Sequence, residues 1–217
     1  MVAQITQGTA FDKHGRPFRR RNFTPAIVLF AVLAVLTLII WVVALNRSVD
    51  VAEPAACNPP TANSSDPTQP KLGEQLSRAS MTEVGPANLA DTKIRVLNAS
   101  GQGGQAAEVA GQLRDLGFAE PTAENDPLYA NNRLSCQGQL RFGPNGRAAA
   151  AAVWLVAPCV ELYQDQRQDN TVDLAIGTDF TELAHSDDID AVLSSLRPEA
   201  TQPADPALLT KIHSASC

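Results

Sequence analysis

The sequence predicts an α/β fold: one N-terminal transmembrane helix, then a small α/β sandwich in which helices pack on a mixed sheet, stabilised by disulfides. Three observations predict it. Residues 26–45 read AIVLFAVLAVLTLIIWVVAL, without a charge. From Lys93 onward, short runs of strand periodicity alternate with alanine- and leucine-rich runs of helical periodicity, as in a sheet covered by helices. All four cysteines, Cys57, Cys136, Cys159 and Cys217, follow the apolar run.

About twenty apolar residues at 1.5 Å each span roughly 30 Å, the hydrocarbon thickness of a bilayer. A cleaved signal peptide has a shorter apolar core and a small-residue cleavage site close behind it. A helix of a soluble core would show polar residues on one face. The "PAAC" before Cys57 is a poor lipoprotein box, because Pro54 stands where a branched apolar residue is wanted. Lys13, Arg16, Arg19, Arg20 and Arg21 precede the run, and only Arg47 follows it closely. The positive-inside rule therefore puts residues 1–25 in the cytoplasm and residues 46–217 outside the inner membrane.

That division sets the charge. The chain has 217 residues, 17 basic and 23 acidic, for a net charge of −6. Removing the five basic residues and Asp12 of the N-terminal segment leaves a net of −10 outside. Such a surface excludes nucleic acid as a partner. The even cysteine count in an oxidising compartment predicts two disulfides, and no C-x-x-C is present to suggest redox chemistry or a zinc ribbon.

Residues 46–92 begin rich in Pro, Ala, Ser and Thr and read as a linker, with a short helix over 71–81 that puts Leu72, Leu76 and Ala79 on one face. The domain proper reads as 93–180. "KIRVL" is a strand with Ile94 and Val96 on one side and Leu97 on the other. Ala106, Val109, Ala110, Leu113 and Leu116 form one stripe of a helix, which Gly117 ends and Phe118 follows. Residues 119–133 hold one short edge strand. "LSCQGQLRF" (134–142) alternates as a strand, and "GPNG" turns the chain, with Asn145 or Gly146 as cap. "RAAAAAVWLVA" is a strong helix former that Pro158 stops, and Trp154 is expected in the core. "CVELYQ" and "TVDLAIG" are two further strands. The extension 181–217 offers two helices, one capped by Ser186 with an acidic first turn, the other by Asp205 before Pro206. On this plan Cys136 starts a strand, and the next helix returns to the same end at Cys159. The pairs expected are Cys136–Cys159 and, by elimination, Cys57–Cys217.

"IRVLNASGQGGQAAEVAGQLRDLGF", "LRFGPNGRAAAAAVWL" and "VDLAIGTDF" together resemble the LytR C-terminal domain family over roughly residues 93–180. That module stands on the extracytoplasmic side of bacterial envelope proteins, often after a LytR–CpsA–Psr phosphotransferase domain. Residues 46–92 are too few to hold such a catalytic domain. The resemblance implies a part in the cell envelope without an activity of its own.

The turn Gly101-Gln102-Gly103-Gly104-Gln105-Ala106 reads G-x-G-x-x-A, a weak sign of a dinucleotide loop. Glu120 and Glu124 lie near the distance of a ribose-binding acid, but "AEPTAENDP" lacks the branched apolar character of a central parallel strand. The structural reading is that the glycines allow positive φ and a close helix start, while Asn98 or Ser100 satisfies free amides. An intermediate reading has the helix start binding an anion such as a lipid-linked sugar phosphate. Its candidate ligand-binding residues are Asn98, Ser100, Gly101, Gly103 and Gly104. His185 and His213 are isolated, and Asp187, Asp188 and Asp190 lack the other ligands of a calcium loop, so neither a metal nor a cofactor is expected.

The function expected is that of a membrane-anchored extracytoplasmic binding or scaffold protein, not an enzyme, whose partners are cell-wall polymer or envelope-assembly membrane proteins. The alternative is an enzyme or accessory subunit acting on lipid-linked cell-wall glycan phosphates. A regulator working through its transmembrane helix is a third reading.

Overall fold

The computed structural model describes residues 23–46, 56–61 and 71–214. It divides into two units, 1–50 and 51–217. The first holds helix α1 (Thr24–Asn46), long and apolar enough to cross a membrane, with nothing buried over Thr24–Trp41. A helix apolar on all sides has no water-facing stripe and suits a lipid surroundings.

The second unit is built on a six-stranded mixed sheet. In chain order the strands are β1 (Glu74–Leu76), β2 (Ile94–Asn98), β3 (Thr122–Asn125), β4 (Gly138–Phe142), β5 (Glu161–Gln164) and β6 (Val172–Ile176), and across the sheet they run β1-β5-β4-β6-β2-β3. β2 is parallel to both β3 and β6, and β4 is parallel to β5. β1 on β5 and β4 on β6 are antiparallel. The remaining helices are α2 (Arg78–Thr82), α3 (Gln105–Leu116), α4 (Arg147–Val156), α5 (Asp187–Ser195) and α6 (Pro206–His213).

Strand alternation assigns the two faces. Ile94, Val96, Leu140, Phe142, Leu162, Val172, Leu174 and Ile176 point to one side, into a core completed by α3, α4, α5 and α6. Within it Ala106, Val109, Ala110 and Leu113 of α3 are buried at the expected spacing, and Trp154 of α4 is fully buried. Gly117 ends α3 at φ 105°, with Gly117 N donating to Arg114 O and Phe118 N to Leu113 O. This is a Schellman closure, with Phe118 as the buried residue beyond it. Ser186 and Asp205 cap α5 and α6 as expected, accepting from Ile189 N and Ala207 N.

The opposite face is polar. In register across the sheet lie Thr122, Arg95, Asp173, Arg141, Tyr163 and Gln75. Only its end near β2 and β6 is apolar, where Leu97 and Ala175 are covered by Leu128, Tyr129, Leu134 and Cys136. Among the described residues no helix covers this end. The 126–137 loop does, strapped by residues 56–61.

Three expectations are corrected. Residues 71–81 are not one helix: Glu74–Leu76 pairs with β5 and α2 follows. Backbone pairing on an open strand edge overrides a weak helical stripe. Met81 and Leu89 are fully buried, so the folded unit takes in residues assigned to the linker. The strand expected from Leu134 begins only at Gly138, because 134–137 is drawn off the sheet. There Leu134 N donates to Ala99 O, while Gly177 N, Thr178 N and Asp179 N donate to the carbonyls of Gln137, Leu134 and Cys136.

That displacement also overturns the disulfide expectation. Cys136 joins Cys57, with Cα atoms 5.0 Å apart, so neither Cys136–Cys159 nor Cys57–Cys217 forms. Cys136 sits in the cluster on the polar face, whereas Cys159 follows α4 on the helical face. Cys159 is itself disulfide-bonded. Cys217 lies outside the described residues.

Candidate functional site

The glycine turn lies at the carboxyl end of β2, between β3 and β6, and leads into α3. Gly101 and Gly104 have φ of 77° and 84°, the left-handed conformation that glycine adopts without strain. Gly103 does not, and a Cβ there would meet nothing within 4 Å.

The turn binds itself. Asn98 Oδ1 accepts from Ser100 N and Gly101 N, both at 3.2 Å. Asn98 Nδ2 donates to Gln102 O at 2.6 Å. Gln102 N donates to Ser100 Oγ at 3.1 Å, and Ser100 Oγ donates to Gln105 Oε1. Gln105 Nε2 then reaches Phe180 O at 3.2 Å, which joins the turn to the segment after β6. The amides of Ser100, Gly101 and Gln102 are taken by two side-chain oxygens, but the start of α3 is not capped by Asn98 or Ser100 as expected: its N-cap is Gly104, with no side-chain hydrogen bond. The connection from β2 through α3 to β3 is parallel, as a dinucleotide site requires, but β3 is an exposed edge strand. Of the five candidate residues, Asn98, Ser100, Gly101 and Gly104 therefore hold the turn's shape. Gly103 is left open to solvent.

Beside the turn is a cleft of about 470 Å³, between the ends of β2 and β3 and the 126–133 loop, lined by Asn98, Gly101, Asn125, Tyr129 and Arg133. A buried polar network forms its floor. Arg141 donates to Asp126 through both terminal nitrogens, at 3.2 and 2.8 Å, and this pair is almost wholly buried. Arg141 also donates to Gln139 Oε1, and Gln139 Nε2 to Tyr129 Oη. Tyr129 Oη donates to Asn58 O at 2.6 Å, and Asn58 Oδ1 accepts from Ser135 N at 2.7 Å. Burial pushes the Tyr129 phenol up, so it stays a donor. The disulfide at Cys57 holds Asn58 at the end of this chain of bonds.

A second charged group occupies the same face of the sheet. Asp173 accepts from Arg95 Nε at 2.7 Å and Nη2 at 2.9 Å, and from Arg167 Nη2 at 2.7 Å. Arg167 is also clamped by Asp165. Burial alone would lower the Arg167 pKa, but its bonds to Asp173 and Asp165 outweigh that and raise it. The hydrogen bond to Asp173 raises Arg95 as well. Each of these charges is committed to a partner. The arrangement presents rigid hydrogen-bonding groups.

Sequence reasoning found the turn and missed both networks. Asp126, Arg141, Arg95 and Asp173 are far apart in the chain, and only the register of four strands makes them neighbours. The polar residues at 95, 139, 141 and 173 alternate with the core residues of three strands and so share one face, which was the available signal.

The family model described as LytR cell envelope-related transcriptional attenuator matches residues 91–180. The "cell envelope integrity protein Cei" of Mycobacterium tuberculosis is 67% identical over the whole of both chains. A crystal structure of the soluble domain of a conserved hypothetical secreted protein from Mycobacterium marinum is 70% identical, covers 68% of this chain and all of that one, and superposes with a TM-score of 0.67. Its extent agrees with a folded unit that starts at β1 rather than at Lys93. The chain thus belongs to the family of the cell envelope integrity protein Cei, with a LytR C-terminal domain as its folded part.

Proposed function

We propose that this chain is a non-catalytic binding or scaffold protein of the cell envelope, anchored in the inner membrane by α1 with its N-terminus in the cytoplasm. The observation that carries the reading is the Cys57–Cys136 disulfide in the same chain as α1. Disulfides persist in oxidising compartments, which favours the outer side for the domain. The basic flank before α1 favours the same orientation. The relative's name, cell envelope integrity protein, supports the setting.

The two arginine–carboxylate networks support the non-catalytic role. Asp126 and Asp173 are the buried carboxylates of the polar face, and arginines hold both as ion pairs. Their oxygens are occupied by guanidinium donors and are not aimed at a substrate. What remains is a rigid face of donors and acceptors suited to recognising a polymer.

The test uses the full chain in lipid nanodiscs, with purified cell-wall polymer and, separately, detergent-solubilised envelope proteins. Saturable co-sedimentation with polymer, without release of product, supports the reading. Capture of membrane proteins alone makes the chain an assembly partner. Turnover of a lipid-linked glycan phosphate would overturn the non-catalytic assignment.

A further inference from the structure

We propose that α6 is an acid-released latch. Protonation of His213 unseats this helix from Trp154 and uncovers one face of the indole, while the sheet stays folded. The device goes beyond the binding role above and does not depend on it.

The helix is lightly held. It has eight residues, fewer than the roughly twelve at which an isolated helix becomes marginal, so its packing must keep it in place. It packs on α5, α2 and α4. Only Ile212 and His213 are buried, with Leu208 and Leu209 partly so. Among the described residues, the hydrogen bonds of 205–214 stay within the segment, and one ion pair, Lys211 to Asp188, crosses to α5. Residues 197–203, which lead into it, are all exposed. A segment with few buried contacts and a solvated connection lies at the low end of local stability and can open by itself.

His213 is the group that decides whether it does. The side chain is 9% exposed, its ring lies 3.9 Å from that of the fully buried Trp154, and neither Nδ1 nor Nε2 has a hydrogen bond. A neutral imidazole fits this seat as an apolar ring. An imidazolium carries two N–H donors and finds no acceptor there, and a buried charge without a partner is expelled or neutralised.

The neighbouring charges make the seat worse for a cation. Arg78 of α2 stands over the Trp154 ring at 5.3 Å, so the indole face already serves one cation and a second is repelled. On α4 the charge is Arg147, which donates to Ser80 O. On α5, Asp188 is held by Lys211, Asp190 faces His185, and Asp187 is exposed. No carboxylate is left to receive the His213 proton.

The direction and size of the response follow by linkage. In the closed form the His213 pKa is lowered to about 4, and in the open form it returns to the ordinary 6.5. The open form therefore takes up the proton first as pH falls. Between pH 7 and 5 the ratio of open to closed α6 rises about twenty-fold, and the rise levels off below pH 4.

Amide hydrogen exchange on the full chain in nanodiscs, at pH 7 and pH 5 and corrected for intrinsic rates, tests the latch. Peptides over 207–214 should lose protection about twenty-fold, and those over β4 and β6 less than two-fold. His213→Phe keeps the stack and cannot titrate, so α6 protection should then be equal at both pH values. Asp188→Asn removes the ion pair: it should lower α6 protection at both pH values and leave their ratio at about twenty. Unchanged protection of α6 in the natural chain, an equal loss in α6 and the sheet, or a pH response that survives in His213→Phe would overturn the proposal.

Discussion

Trp154 and His213 stack in the interior, with ring centroids 3.9 Å apart and planes 18° from parallel. The contact joins α4 to α6, and it leaves both imidazole nitrogens of a largely buried histidine without a hydrogen bond. Burial, and then the charge of Arg78, lower the His213 pKa to about 4. The unfolded chain titrates near the ordinary value of about 6.5, so it takes up protons first as pH falls. Stability from this site is therefore full above that value, declines as pH drops toward 4, and changes no further below. The loss is at most about 3 kcal/mol. Urea midpoints from pH 7 to 4 should fall more steeply for the natural chain than for His213→Phe, which keeps the stack and cannot titrate.

Arg141→Met should lower stability by about 3–5 kcal/mol, because it leaves Asp126 charged and buried without its partner. Adding Asp126→Leu should recover most of that loss. Denaturant titration of the single and double variants measures it. A double variant as unstable as Arg141→Met would mean that the pair does not act as a unit.

Of four cysteines, Cys57 is joined to Cys136 and Cys159 is also oxidised, so the expected partner of Cys159 is Cys217. Peptide mapping without reduction should recover a 159–217 cross-linked fragment. Cys217→Ala should free one thiol, titratable on denaturation, at Cys159.

Gly101→Ala should cost about 1–2 kcal/mol, since φ there is 77° and the new Cβ would press on the Arg133 side chain. Gly103→Ala should leave the melting temperature unchanged, as it meets open space. Equal effects at the two positions would contradict the backbone assignment of the turn.

Gly177→Ala should be more damaging than either. A Cβ there would run into the Cys136 carbonyl, where three consecutive amides, 177–179, hold the 134–137 loop. Overpacking of this kind costs about 1–3 kcal/mol, and the loop carries half of the disulfide. Thermal melts and the yield of oxidised protein both report it.

These positions also mark what the sequence makes legible. The stripe of α3, its Gly117 stop and the caps Ser186 and Asp205 are local, and each appears where the residues place it. The strand at 74–76 is not local: it forms because β5 offers an open edge, and nothing within "GEQLS" records that. The alternation of residues 134–142 puts Cys136 in a strand, yet the strand itself runs only from Gly138. The bonds that lift 134–137 come from the segment after β6, some forty residues later. The polar networks were hidden for the same reason. Arg95 and Asp173 read as ordinary solvent-facing strand residues until the register sets them side by side.

The Cys57–Cys136 bond also decides where the folded unit takes a load. The two cysteines are 79 positions apart, so the bond closes a loop that contains β1, β2, α3 and β3. β1 has three residues and pairs only with β5, which makes it the easiest strand to peel from the sheet. Any tension on the chain before Cys57 passes through the disulfide into the loop under β2 and β6, and β1 is spared.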